Sequence, residues 1–202
     1  MIYKLVFDME RIDSSIKEGC NTIFAQKDNL DKIEYENINN GFFIHIIDNG
    51  VKITNWTNIE FYYSSIASNL ESDYLLNSSS WPLVHQRVKD TLIKNEIEGI
   101  QYLPINLIDA VNGDINNHYY VMNILNSIEA IDMNKSKYDY EEEYDAYFFE
   151  PNAVYFDEEI CKNYDIFRAC KSPQAIYVSD KFKSIVERED WIGFYFYPQK
   201  TN

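Results

Sequence analysis

Apolar positions along the chain recur mostly with period two, the spacing of half-buried strands. Ile2–Phe7 is a short β-type run and predicts an early strand. Residues 8–40 are polar, with turn chemistry at 28–31 and 37–41. Residues 41–47 predict a strand, and Asp48-Asn49-Gly50 separates it from a second β-rich run at 51–56. An Asn-Gly between two such runs predicts a hairpin. Ile59–Tyr63 adds a strand. Residues 64–80 show no clear period, and 77–80 read as an exposed loop.

The period changes at Trp81-Pro82. Pro82 suits the first turn of a helix, and Val84, Val88, Leu92 and Ile93 follow at helical spacing as far as Glu96. Gly99 closes that segment, and residues 100–104 read as a strand in which Pro104 marks an end or an edge. After an Asn112-Gly113 turn comes a long strand at about 118–125, then a short segment near Ala130. Residues 138–150 are acidic and aromatic. Strands follow at 154–157, 165–170 and 175–178. Ser179-Asp180 caps a helix with Phe182, Ile185 and Val186 on one face, and 193–197 form a last strand. Strands in runs with few helices define an α+β fold, with a mixed or mainly antiparallel sheet and a few packed helices.

The 202 residues fit one compact unit, divided here into a β-rich portion at 1–80 and an α+β portion at 81–202. Apolar residues at 46% are enough for a core. Eighteen basic against 33 acidic residues give a net charge of -15, which argues against direct nucleic-acid or anionic-membrane binding. The excess charge serves either solubility or attraction of a basic partner. Three cysteines without a C-x-x-C pair fit a reducing compartment; Cys170 reads as a buried small apolar residue. The apolar run at the N-terminus is too short for a signal peptide and no stretch could span a bilayer, so a cytoplasmic location is expected.

Chemistry is sparse. His45, His85 and His118 lie far apart, with no H-E-x-x-H spacing, so neither a metal site nor a catalytic base is expected. There is no G-x-S-x-G, no P-loop and no G-x-G-x-x-G, and no cofactor is expected. Carboxylate neighbours such as Asp8 with Glu10, or Asp157 with Glu158 and Glu159, arise by chance in so acidic a chain. Arg168 sits inside a β-rich run and, if buried, needs a carboxylate. Asp132, just after a hydrophobic segment, is the expected partner; the other reading leaves both facing solvent.

Several motifs occur in order between about Trp81 and Pro198: Tyr120-Val-Met-Asn-Ile-Leu125, Ile128-Glu-Ala-Ile-Asp132 with Ser136 four residues on, Ile166-Phe-Arg168, Ile176-Tyr-Val-Ser-Asp180 and Trp191-Ile-Gly-Phe-Tyr-Phe196. Together they resemble a large bacterial immunity-protein family of polymorphic toxin systems, first catalogued as a domain of unknown function. The first 80 residues carry no such match and read as a variable portion. The resemblance implies a non-enzymatic protein that binds and neutralises a cognate toxin domain, including basic nucleases. It makes Tyr138, Tyr140, Glu141, Glu142, Glu143, Tyr144 and Asp145 the candidate partner-binding residues, since aromatic anchors ringed by carboxylates have the composition of a hot spot. A solvated surface loop is the competing reading. A small hydrolase or nucleotide-modifying enzyme, and a secretion-system adaptor, remain the alternative functions.

Overall fold

Strict alternation builds the largest sheet. In a computed structural model, which describes residues 1–8, 26–27, 47–54, 56, 59–66, 72–77 and 79–202, the strand Ile100–Asp109 (β6) sends Leu103, Ile105 and Leu107 to one face. Ile100 and Tyr102 go to the other. Five strands precede it: β1 (Ile2–Phe7), β2 (Gln26–Lys27), β3 (Ile59–Tyr63), β4 (Tyr74–Leu75) and β5 (Leu83–His85). The helix Gln86–Lys94 (α1) leads into β6, and Ile115–Ile124 (β7) returns antiparallel to it. The six-stranded order is β2-β3-β6-β7-β5-β4, with β3 parallel to β6.

The C-terminal half supplies Ser127–Ile128 (β8), Tyr138–Glu141 (β9), Ala146–Phe149 (β10), Tyr155–Phe156 (β11) and the single-turn helix Glu158–Cys161 (α2). Ile166–Ala169 (β12), Ser172–Ser179 (β13), the helix Asp180–Arg188 (α3), Phe194–Pro198 (β14) and Lys200–Thr201 (β15) follow. A five-stranded sheet has the order β14-β1-β13-β12-β8, so the N-terminal β1 is an interior strand between two C-terminal ones. β9 with β10, and β11 with β15, form separate two-stranded ribbons. The fold is α+β, with mixed and mainly antiparallel sheets.

One core lies between the two large sheets and takes the apolar faces of both longer helices. It joins Leu5, Ile176 and Phe194 to Val84, Met122 and Ile124, with Val88 and Leu92 of α1 and Phe182, Ile185 and Val186 of α3. The outer face of the six-stranded sheet is closed by Ile47, Trp81 and Trp56, and that of the five-stranded sheet by Phe156, Phe167 and Tyr177.

Ser179 caps α3 as its position predicts, its side chain accepting from the Phe182 N–H. Four local expectations change. The segment from Pro82 is strand before it is helix. Leu83 pairs with Val121 and faces the outer core while Val84 faces the inner one, a two-sided burial that only a strand gives. The helix begins at Gln86, and Ile93 ends up 55% exposed. Residues 51–54 are not a strand: the Gln101 side-chain amide accepts from the Ile53 N–H at 2.9 Å and donates to its carbonyl at 2.7 Å, replacing a ladder pair.

Pro104 does not end its strand. It sits one residue before the described pairing with β3 begins at Ile105, so its missing N–H interrupts no described β3–β6 pair. Its carbonyl accepts from the Trp56 indole at 2.7 Å. Asn77 and Ser79 are buried rather than exposed. The Asn77 amide donates to the carbonyls of Leu75 and Trp81 and accepts from the N–H groups of Ser79 and Trp81, turning the chain from within. Of the strand expected at 41–47, residues 41–46 lie outside the described residues and Ile47 is in a turn; Gly50, after it, takes φ 67.

Candidate partner-binding hairpin

The acidic run folds as a hairpin because its aromatic residues alternate. Tyr140 stands opposite Tyr147 and Tyr138 opposite Phe149, placing four rings on one face. Ring centroids lie 4.8 Å apart for Tyr140–Tyr147 and 5.8 Å apart for Tyr138–Phe149. Asp139, Glu141 and Phe148 occupy the opposite face by the same alternation. Asp145 adopts φ 47, a left-handed conformation that Asp tolerates, and closes the turn by donating its N–H to the Glu142 carbonyl. The Tyr140 hydroxyl donates to Asp145 at 2.7 Å, and this bond to a carboxylate holds its pKa above the usual phenol range.

The ribbon is anchored at one end. Lys137 donates its N–H to Ala153 and accepts from Glu150, while Phe149 packs onto the outer core of the five-stranded sheet. Lys171 lies 5.5 Å from the centre of the Tyr147 ring and 2.9 Å from Glu129, a carboxylate that raises its pKa. A groove of about 460 Å³ runs beneath the hairpin, lined by Glu129, Tyr144, Tyr147, Lys171 and Gln174 among others. All seven candidate residues are exposed, with Tyr144 at 71% and the neighbouring Phe148, which the sequence did not single out, at 60%. Glu141, Glu142 and Glu143 make no ion pair with any described residue.

The expected Asp132–Arg168 pair does not form. Arg168 is buried, but its carboxylate is Asp48 at 3.1 Å, and its other end donates to the Pro173 carbonyl at 2.6 Å. Asp132 instead closes its own turn, accepting from the N–H groups of Asn134 and Lys135 and from the Asn202 amide. β12 directs Arg168 toward the inner core beside Ile166, so its partner comes from the chain crossing there and not from the segment at 132.

The remaining polar residues of that stretch are also structural. The buried Asn123 donates to Val51 and Gln101 and holds residues 51–53 against the sheet. Asn126 donates to Ile166 and crowds Gly99, where a Cβ would lie 2.0 Å from its side chain. Ser136 accepts from the Tyr155 N–H.

Pairing of β5 with β7 brings His85 and His118 to 6.1 Å, a proximity that linear spacing hides. Both are engaged: His85 Nδ1 accepts from the Arg87 N–H, and His118 contacts Gln86 at 3.0 Å. Arg87 grips the buried Asp73 through two bonds, and Asp73 also accepts from the Ile192 N–H. His45 and Cys20 fall outside the described residues. Of the two described cysteines, Cys161 is buried, its thiol pushed up to about 12 by burial, while Cys170, expected in the core, is exposed. Asp157 caps α2, and Asp8 is nearly buried. Among the described residues no group of three or more His, Cys, Asp or Glu is placed to hold a metal ion, and no helix is long and apolar enough to cross a membrane.

Fold and hairpin together define an α+β protein that presents an acidic, aromatic ribbon to solvent. Comparison with family models is more specific: the Immunity protein family (Imm11) matches residues 6–201, and the chain belongs to that family. The match takes in most of the first 80 residues as well, beyond the 81–198 over which the sequence motifs alone carry the resemblance. No curated protein matches the chain.

Proposed function

We propose that this immunity protein protects its producer by binding a cognate toxin domain directly, without catalysis, and that the hairpin Tyr138–Phe149 is the docking element. The observation that carries the reading is the hairpin's composition and placement. The segment 138–149 carries five carboxylates (Asp139, Glu141, Glu142, Glu143 and Asp145) and no Lys or Arg of its own, beside aromatic rings left in solvent. A ribbon of this kind attracts a basic face by long-range steering and holds it through buried rings. A toxin of the nuclease class, with a cationic substrate groove, has the matching charge. A tight complex has to bury about 800 Å² on each partner, so the hairpin forms the centre of a wider face. The expected setting is the cytoplasm of a cell that makes the toxin.

The test is co-purification with the product of the neighbouring gene, followed by replacement of Glu141, Glu142 and Glu143 together with Lys. We expect the association rate to fall at least about tenfold at low salt, with the difference shrinking as salt rises. Protection that survives the triple replacement at every salt concentration would remove the hairpin from the interface.

A further inference from the structure

A second feature of the molecule runs against its overall charge. At the C-terminal end of β1 the five-stranded sheet splits. The β1–β13 ladder stops at Leu5 and Ile176, although β1 continues along β14 to Phe7 and β13 extends back along β12 to Ser172. A cavity of about 460 Å³ opens at this split, lined by Lys4, Arg168, Tyr74, Ser80, Ser172 and Gln174 together with apolar residues. Among the described residues, two cations and no carboxylate line it, in a protein of net charge -15.

Arg168 is 1% exposed, and its Nε–H meets no acceptor among the described residues. A buried charged donor left unmatched is rare, because its desolvation has to be offset by a partner. Asp48 and Pro173 satisfy the far end of the guanidinium only. Burial lowers the Arg168 pKa against the opposing effect of Asp48. Lys4 is exposed and makes no ion pair with any described residue.

We propose that this cavity is a binding site for one oxyanion, a carboxylate or phosphate group, that accepts from the Arg168 Nε–H with Lys4 at the rim. The group has two possible sources, a free small anion or an acidic side chain of a bound partner. The planar guanidinium suits either. The proposal does not rest on the hairpin, although Gln174 lines both this cavity and the groove beneath the hairpin: the charge is opposite, and the test needs no toxin.

The experiment follows the Arg168 Nε–H resonance of the full-length ¹⁵N-labelled protein, assigned by its loss in Arg168→Lys. Inorganic phosphate and acetate are titrated separately against sodium chloride of equal ionic strength. We expect a saturable shift that chloride does not reproduce, weakened about threefold in the exposed variant Lys4→Met, which leaves the buried side chains in place. Tighter binding of phosphate assigns the site to a phosphate group, and tighter binding of acetate assigns it to a carboxylate, the group an acidic side chain of a partner would present. Absence of a saturable shift with both probes, or an equal drift with chloride, overturns the site.

Discussion

Two hairpins of the same topology have opposite surroundings in this molecule. β6–β7 has ten residues in each strand, is flanked by β3 and β5, and is buried over much of both faces. β9–β10 has four residues in each strand, pairs with no third strand among the described residues and leaves its outer residues in water. Both are rich in tyrosine. In the first, Tyr119 is buried and its hydroxyl donates to the Ser72 carbonyl; in the second, Tyr138 and Tyr144 are exposed. An isolated two-stranded ribbon is marginal in water, so the second hairpin depends on its cross-strand rings and on the anchor at Phe149. The difference separates a part held on both sides by other strands from a part held mainly at one end.

The sharpest way to break that contrast is to truncate one residue in each hairpin. Ile124→Ala opens the inner core and should cost about 3 kcal/mol of unfolding free energy, read from urea denaturation. Phe148→Ala should change stability by less than about 0.5 kcal/mol. Toxin affinity should respond in the opposite sense: Phe148→Ala weakens it at least about thirtyfold if the ring is an interface anchor, while Ile124→Ala leaves it unchanged in the fraction that remains folded. Equal stability losses at the two positions would show that the exposed hairpin is part of the folding core.

Charge sharpens the same distinction. Arg168 and Asp48 form a pair with one member deeply buried, whereas Glu141, Glu142 and Glu143 stand in solvent. Removing the acid strands a buried cation, so Asp48→Ala should cost about 2 kcal/mol, less than a fully buried pair because Asp48 is 19% exposed. Arg168→Met should cost less than Asp48→Ala, since a long apolar side chain can fill the site. The double variant should recover much of the loss. A cycle in which the two single losses simply add would show that the pair carries no coupling.

The acidic and aromatic character of 138–150 was legible in the sequence because composition is local, but its hairpin was not, since the opposition of Tyr140 to Tyr147 and of Tyr138 to Phe149 appears only when the two strands pair. The helix α3 was legible because its signals are local too, from Ser179 and the spacing of Phe182, Ile185 and Val186. The Arg168 partner was not, because Asp48 lies 120 positions away and reaches it through tertiary crossing. The start of α1 was misplaced because Pro82 fits a first helical turn equally well, and only the neighbouring β7 selects a strand at Leu83–His85. The 51–56 run was misassigned because a side chain, Gln101, takes the place of a backbone partner. Each miss is a long-range contact overriding a local preference.

The smallest expected effect distinguishes the two hairpins by pH. His85 ends β5 beside Tyr119 of β7 and caps α1, its Nδ1 accepting from the Arg87 N–H at 3.2 Å. That acceptor exists only in the neutral ring. Burial lowers the His85 pKa, opposed by Asp73 and Asp90 and reinforced by Arg87 and His118. With the folded pKa below the unfolded value of about 6.5, the unfolded chain binds the proton first. The contribution is therefore complete above about pH 6.5 and is lost as pH falls through the folded pKa. The ring is partly exposed, so the loss should be no more than about 0.5 kcal/mol. His85→Asn keeps a capping side chain without the titration and should flatten stability between pH 7 and 5. The hairpin at 138–149 contains no histidine, so toxin association should stay level over this range. An identical pH slope in the wild-type and His85→Asn proteins would remove His85 from the effect, and a parallel fall in toxin association would place the pH response in the exposed hairpin instead.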